Sequence, residues 1–416
     1  MKEKIVNFEK IFFIFGFIYF TEPFILFADL SSTKQSVIGS SSLPEVTDSG
    51  PLLGLRLIVL GITLLLTCIR YKQIIYLASK RKFLWALVGL IILSSLWSPI
   101  PELTFRKGIV FFGVILFGLN VSVRYKLKEQ LFILAWAMGI LVVMNFIFTL
   151  VFPSIGIESG EHAGAWRGLF PQKNAFAKMM VLSAMTFIIA VSDKHKYSSI
   201  LWIFLGFSTI LILLSTSKSA LVIFLILLAL LSLFKLLRDS YNIAIPLLII
   251  ALLVIGSIAT FLIGNVETIV SFLGRDISLT GRTGIWSVVI SKIAQHLWLG
   301  YGYKGFWRGM EGDSADVWYE TFFTSPNAHN GFLDLTLELG LVGLLFFMSS
   351  FIKNWVRAIA WLRLTTTVEG LFPVMYFAYL VLYNITESTL NDPFVWAIYS
   401  AVTSTVLTQP IFSRDL

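Results

Sequence analysis

The amino-acid sequence predicts an all-α, polytopic integral membrane protein, and three observations carry this. Of its 416 residues 57% are hydrophobic and only 13% charged, against roughly 25% charged in an ordinary soluble domain. Apolar runs near the ~20 residues that cross a bilayer recur from Ile11 to Leu407. No polar segment between them is long enough for a separate soluble domain, so a single transmembrane domain is expected over residues 1–416.

Twelve helices are expected, each an apolar run closed by polar or charged flanks. Ile11–Phe27 follows the basic start "MKEK"; it has a signal-peptide layout, but "LFADLSS" offers no small-x-small cleavage site, so it is read as a spanning helix. Leu52–Ile69 and Phe83–Trp97 lie on either side of the basic segment Arg70 to Lys82. Leu103–Val121 and Leu131–Phe152 flank Arg124, Lys126 and Lys128. Ala175–Val191 and Ile200–Ser215 flank Lys194 and Lys196, and Ala220–Phe234 and Ile243–Ile263 flank Lys235 and Arg238. Gly331–Phe351 and Gly370–Ile385 flank Lys353, Arg357 and Arg363, and Phe394–Leu407 precedes Arg414.

These basic loops hold more than half of the 32 Lys and Arg residues, all on the side of the N-terminus. The positive-inside rule makes that side cytoplasmic, with both termini there. The net charge of +8 is thus a topology signal, and no nucleic-acid partner is implied. The single cysteine, Cys68, sits in an apolar run, which excludes an intramolecular disulfide.

The opposite face carries the Ser/Thr-rich stretch within Asp29–Pro51, the loop Pro153–Asn174 and a long segment, 265–330, between helices nine and ten. Within the last, Ile285, Trp286, Val289, Ile290, Ile293 and Leu297 form one helical stripe, with Ser287, Ser291, Lys292 and Gln295 elsewhere. This reads as an amphipathic helix along the interface, capped by Thr280 or Thr283. "GYGYKG", Gly300–Gly305, follows a helix and not a strand, so it is read as a turn and not as a dinucleotide loop. The aromatics around it, among them Trp298, Tyr303 and Trp307, suit an interfacial belt or sugar stacking.

Several polar groups are out of place in so apolar a chain. Arg282 opens the interfacial helix, where partial positive charge disfavours a cation by about 0.3–1 kcal/mol unless an anion offsets it. It reads either as half of a phosphate receptor or as a surface Arg paired with Asp276. Arg167 and Lys173 form a second cationic lobe, or the loop is merely a local turn stabilised by Gly168 and Pro171, with Lys178 and Lys173 snorkelling to headgroups. Lys218 fits either reading, and Arg56 and Arg106 read as anchors.

His329, one of four histidines, reads as a loop residue or a proton acceptor. Asn330, Asp334 and Glu338 follow at i, i+4 and i+8, on one helix face beneath it. They serve a site or pair structurally with neighbouring cations. Glu387 in "NITES" orients a partner or pairs with a cation. Asp313, Asp316 and Glu320 lack a His or Cys at ligand spacing, so no metal and no cofactor are expected. The sequons at Asn120 and Asn384 are read as chance matches.

"HNGFLDLTLELGLVG", His329–Gly343, resembles the signature of the O-antigen ligase and polymerase family of bacterial envelope proteins. "LWSPIPELTFRKG", "WRGLFPQKNAFA", "STSKSAL" and "LTGRTGIWSVVISKIAQHLWLGYGYKGFW" are similar to its exopolysaccharide-polymerase branch, with Lys218 where Arg would be expected. The resemblance implies a GT-C-like, inverting, metal-independent glycosyltransferase of the bacterial cytoplasmic (inner) membrane, with its active site on the extracytoplasmic face. Its donor would be a glycan on undecaprenyl diphosphate, and its acceptor a sugar hydroxyl on another lipid-linked glycan or on the lipid A core of lipopolysaccharide. His329 would be the base and Arg282 and Arg167 the diphosphate ligands, with Lys173 and Lys218 as further cations. A flippase and a chain-length regulator are the partners such a polymerase would have. The rival from another class is a lipid-glycan flippase or secondary transporter, which inverted repeats and midplane polar groups would favour.

Overall fold

The computed structural model describes residues 2–22, 50–192, 196–240, 242–243, 246, 282–365 and 367–408. Every regular element among them is helical: α1 Lys2–Phe20, α2 Gly50–Ile69, α3 Tyr71–Ser79, α4 Lys82–Leu93, α5 Pro101–Arg124, α6 Leu127–Val151, α7 Pro153–Gly156, α8 Lys173–Val191, α9 Ser198–Leu214, α10 Lys218–Asp239, α11 Arg282–Gln295, α12 Ser314–Thr321, α13 Gly331–Leu364, α14 Leu371–Thr386 and α15 Pro393–Thr408. Among the described residues seven helices are long and apolar enough to cross a membrane, and three shorter apolar ones accompany them. The chain is a polytopic, all-helical membrane protein. The expected helix Ile243–Ile263 apart from residues 243 and 246, together with Thr280, Asp276 and the first part of the 265–330 segment, lies outside the described residues.

Local chemistry sets the helix ends. Pro101 opens α5 with Glu102 in its first turn and Arg124 in its last, which places charge where the helix dipole favours it. Asn330 caps α13, its Oδ1 accepting from the N–H groups of Phe332 and Leu333 at 3.0 and 3.1 Å. Hydropathy missed the amphipathic α3 and the short α7 and α12. It also stopped α13 at Phe351, whereas the helix runs on to Leu364 through Lys353 and Arg357.

Helices α5, α13, α14 and α15 form the centre, wrapped by α1, α4, α6 and α8. Phe12, Phe13, Phe17 and Phe20 of α1 ring Phe117 of α5 edge-on, at centroid distances of 5.0–5.9 Å. At one end Glu9 of α1 holds both Arg70 at 2.7 Å and Arg124 at 2.8 Å. At the other, Trp97 donates to the Leu299 carbonyl, and the N–H of Tyr303 donates to Ser94 Oγ. That second end carries every candidate site residue.

One backbone position shapes that end. Gly340 lies inside α13 at φ 64°, ψ −169°, a conformation that interrupts the helical ladder and frees backbone groups on either side. The chain after α11 takes them up: Tyr301 and Gly302 donate to the carbonyls of Leu337 and Glu338, while Leu341 and Val342 donate to those of Leu297 and Trp298. The "GYGYKG" turn is thus clasped onto the break. A Cβ on Gly340 would sit 2.2 Å from Trp298 backbone atoms. Gly340→Ala is expected to destabilise the protein by about 2–5 kcal/mol, combining a disfavoured φ with overpacking; an unchanged thermal midpoint in detergent would refute the clasp.

The interfacial helix also differs from expectation. Ile285, Val288, Val289 and Ile293 of α11 pack into a small core with Tyr301, Phe306 and Val317, so this stripe faces protein and not lipid. Ile290 and Leu297 remain exposed. Lys292, assigned from sequence to the polar side, is buried and ion-paired to Asp313 and Asp316. Thr283 lies within the helix and does not cap it.

Candidate active site

The His329 loop is held from three sides. Trp286 of α11 donates to the Ala328 carbonyl at 2.9 Å, and Trp318 of α12 donates to that of Ser325 at 2.8 Å. Asp334, one turn into α13, accepts from the N–H of Ala328, from Trp307 Nε1 at 2.8 Å and from Ser388 Oγ. Asp334 is therefore a buried receiver for donors from three segments, with no cation bonded to it among the described residues. Asn327 Oδ1 accepts from the N–H of His329, whose φ of 48° is left-handed. Few side chains other than Gly adopt that conformation without support from their surroundings.

Close approach of two helices brings the imidazole to its partner. Gly331 lies against Asn384 of α14, where a Cβ would meet Asn384 Oδ1 at 1.8 Å. Glu387, just past the end of α14, then faces His329: Nδ1 and Glu387 Oε2 are 3.2 Å apart. The other carboxylate oxygen accepts from Arg282 Nη2 at 2.8 Å. One carboxylate thus joins the loop histidine to the arginine that opens α11. The anion that offsets Arg282 is Glu387, and the carboxylate assigns the proton to Nδ1, leaving Nε2 as the acceptor.

Burial pushes the Glu387 carboxyl up, but hydrogen bonding and charge from His329, with Arg282 and Lys178, outweigh it and hold it below the ordinary value of 4.5. A depressed folded value gives stability that is present above 4.5 and lost as pH falls through the lower folded value. The stability difference between wild type and Glu387→Gln should shrink in acid as pH falls through the carboxylate range; a difference that persisted undiminished there would contradict this.

The remaining candidates are dispersed. Arg167 spends its guanidinium on the Ile155 carbonyl at 2.8 Å and that of Pro171 at 3.2 Å, fastening the turn before α8. Lys173 begins α8, its N–H donating to Glu158. Lys218 begins α10 beside Ser217, which reaches Asn174 at 2.9 Å. These three share one lobe; among the described residues no hydrogen bond or ion pair joins it to His329 or Arg282. Lys178 does not snorkel: it is buried and paired with Asp392 at 2.6 Å. A lysine inside an apolar helix was the signal that could have found it. Asn120 and Asn384 are buried in helices.

Beside this cluster lies a cavity of about 820 Å³. Arg56, Lys107, Lys304 and Arg308 line it together with Glu22, Glu311 and Glu338. Tyr303 and Trp307 supply aromatic surface. Neither His329 nor Arg282 lines it; the shared wall is Trp307, bonded to Asp334, and Pro326 of the histidine loop. Glu338 accepts from the Lys304 N–H and faces this cavity, not the His329 side. Hydropathy could not foresee the cavity, because its walls come from seven separate stretches of the chain.

The family described as O-Antigen ligase matches residues 202–348, which include Arg282, His329, Asp334 and Glu338. Over this region the chain resembles O-antigen ligase/polymerase-like proteins. It is 22% identical to the exopolysaccharide production protein ExoQ of Rhizobium meliloti over 300 residues, 68% of this chain and 67% of that protein. It is 28% identical to a putative polysaccharide ligase of Rickettsia conorii over 148 residues, 35% of each. A chain of a solved peptidoglycan synthase complex that coordinates polymerization and crosslinking aligns over 80% of this chain and 98% of its own length. Its identity is 15% and its TM-score 0.39. By name these relatives are an exopolysaccharide production protein and a putative polysaccharide ligase, and Glu387 lies outside the matched 202–348 region.

Proposed function

We propose that this chain is an inverting glycosyltransferase that joins lipid-diphosphate-linked oligosaccharide repeat units into a surface polysaccharide. The observation that carries the reading is the single carboxylate, Glu387, shared by His329 and Arg282. With Nδ1 held by Glu387, His329 Nε2 takes the proton of an acceptor hydroxyl. That oxygen attacks the anomeric carbon from the face opposite the diphosphate; the old C–O bond breaks, and its electron pair leaves with the phosphate. Arg282 keeps donors beyond the one given to Glu387 to meet that charge, as electrostatic stabilisation requires. Arg167, Lys173 and Lys218 are a second cationic lobe toward the lipid diphosphate, and Asn330, Asp334 and Glu338 support the histidine loop and the cavity wall.

The cavity has the size of a small-ligand site, ~300–1,000 Å³, and its mix of cations, carboxylates and aromatic faces suits sugar rings. In this reading the chain is one domain of twelve spans with a GT-C-like arrangement, both termini cytoplasmic, the 265–330 segment outside and no metal in the chemistry. The donor is a glycan on undecaprenyl diphosphate in the bacterial inner membrane, with a flippase and a chain-length regulator as partners.

The ligase reading shares the donor and differs in acceptor, lipid A core or protein. The family description O-Antigen ligase and the Rickettsia relative's name favour it. Vesicles holding the purified protein and an undecaprenyl-diphosphate oligosaccharide separate the two. A ladder of products supports polymerisation, one transfer to added lipid A core supports ligation, and vesicle transport with no new glycosidic bond overturns both.

A further inference from the structure

The end of the bundle opposite the candidate active site holds a buried cation that the transfer chemistry does not use. Arg81, the residue before α4, is 5% exposed. Its Nη1 donates to Ser404 Oγ at 2.7 Å and lies 3.4 Å from Ser400 Oγ, both on α15. Its Nε and Nη2 have no hydrogen-bond partner among the described residues. Burial lowers its pKa to about 10, which leaves it charged at neutral pH. A buried guanidinium with two idle donors and no carboxylate among the described residues is an expensive arrangement unless something anionic completes it.

Arg81 lines a narrow niche with Lys80, Lys82 and Lys353, with no acidic residue in the lining. The three lysines are exposed and ring the mouth. Its enclosed volume, about 10 Å³, holds about one water-sized atom group. That is room for one oxygen of a larger group seated at the mouth. The N-terminus of the twelve-residue α4 adds its own partial positive charge.

We propose that this niche binds a phosphate group, one oxygen reaching the Arg81 guanidinium and the lysines meeting the rest of the charge. An anionic phospholipid headgroup is the favoured source, since Phe83, which lines the same niche and is exposed, offers apolar surface for acyl chain. Basic pockets between membrane helices on the cytoplasmic side take such headgroups, and this end carries the basic loops. The site is independent of the transfer reaction.

The test is thermal unfolding of the full chain in mixed micelles of phosphatidylglycerol or phosphatidylcholine, and in phosphatidylcholine with 10 mM inorganic phosphate. Phosphatidylglycerol should raise the wild-type midpoint by about 2–4 °C over phosphatidylcholine. The gain should fall below about 1 °C in Arg81→Gln and Lys353→Ala. An equal gain from inorganic phosphate, lost in the same variants, upholds phosphate binding and moves the source to solution. Where Arg81→Gln fails to fold, the exposed Lys353 decides. No gain in the wild type, or an equal gain in wild type and Lys353→Ala, overturns the proposal.

Discussion

His329→Ala is expected to lower glycan transfer by about 10²–10⁴-fold and to leave the fold intact. The magnitude is what a positioned base contributes when it draws the proton from a hydroxyl. The protein survives because the loop does not hang on the imidazole: Trp286, Trp318 and Asp334 grip its backbone independently. The left-handed φ of His329 even allows the smaller residue only with the strain already present. The measurement is incorporation of labelled glycan in vesicles beside a thermal midpoint; full turnover with a normal midpoint would remove the histidine from the chemistry.

Arg282→Lys lowers turnover by about 10–150-fold, the equivalent of one lost charge-assisted hydrogen bond of about 1.5–3 kcal/mol. An ammonium can keep the ion pair to Glu387 but cannot at the same time present the planar fork that grips phosphate oxygens. The loss therefore falls on the donor diphosphate, with the Glu387–His329 contact preserved. Unchanged turnover in Arg282→Lys would refute two-pronged phosphate binding and reduce Arg282 to a structural partner of Glu387.

The two variants probe a contact between residues 282, 329 and 387 that periodicity could suggest only in pieces. Arg282 was legible because a cation in a first helical turn asks for an anion, yet the sequence offered Asp276 as readily as a substrate. His329 stood out because Asn330, Asp334 and Glu338 lie below it at helical spacing. That spacing is misleading in part: Asn330 caps the helix, Asp334 binds donors of the loop, and Glu338 faces the neighbouring cavity. A shared face did not become a shared site because each of the three meets a different neighbour: the α13 backbone, the histidine loop and the cavity.

By itself the amino-acid order determined what short-range physics can write: helices from apolar runs, the turn at "GYGYKG" and the crowding of basic loops at one end. Which carboxylate meets which cation was decided by tertiary structure alone, as with Lys178 on Asp392, Lys292 on Asp313 and Asp316, and Arg282 on Glu387. Hydropathy and helical period have a range of a few turns, whereas these pairs are set by which helices lie close, and charges buried among them must find a partner wherever in the chain it happens to come from.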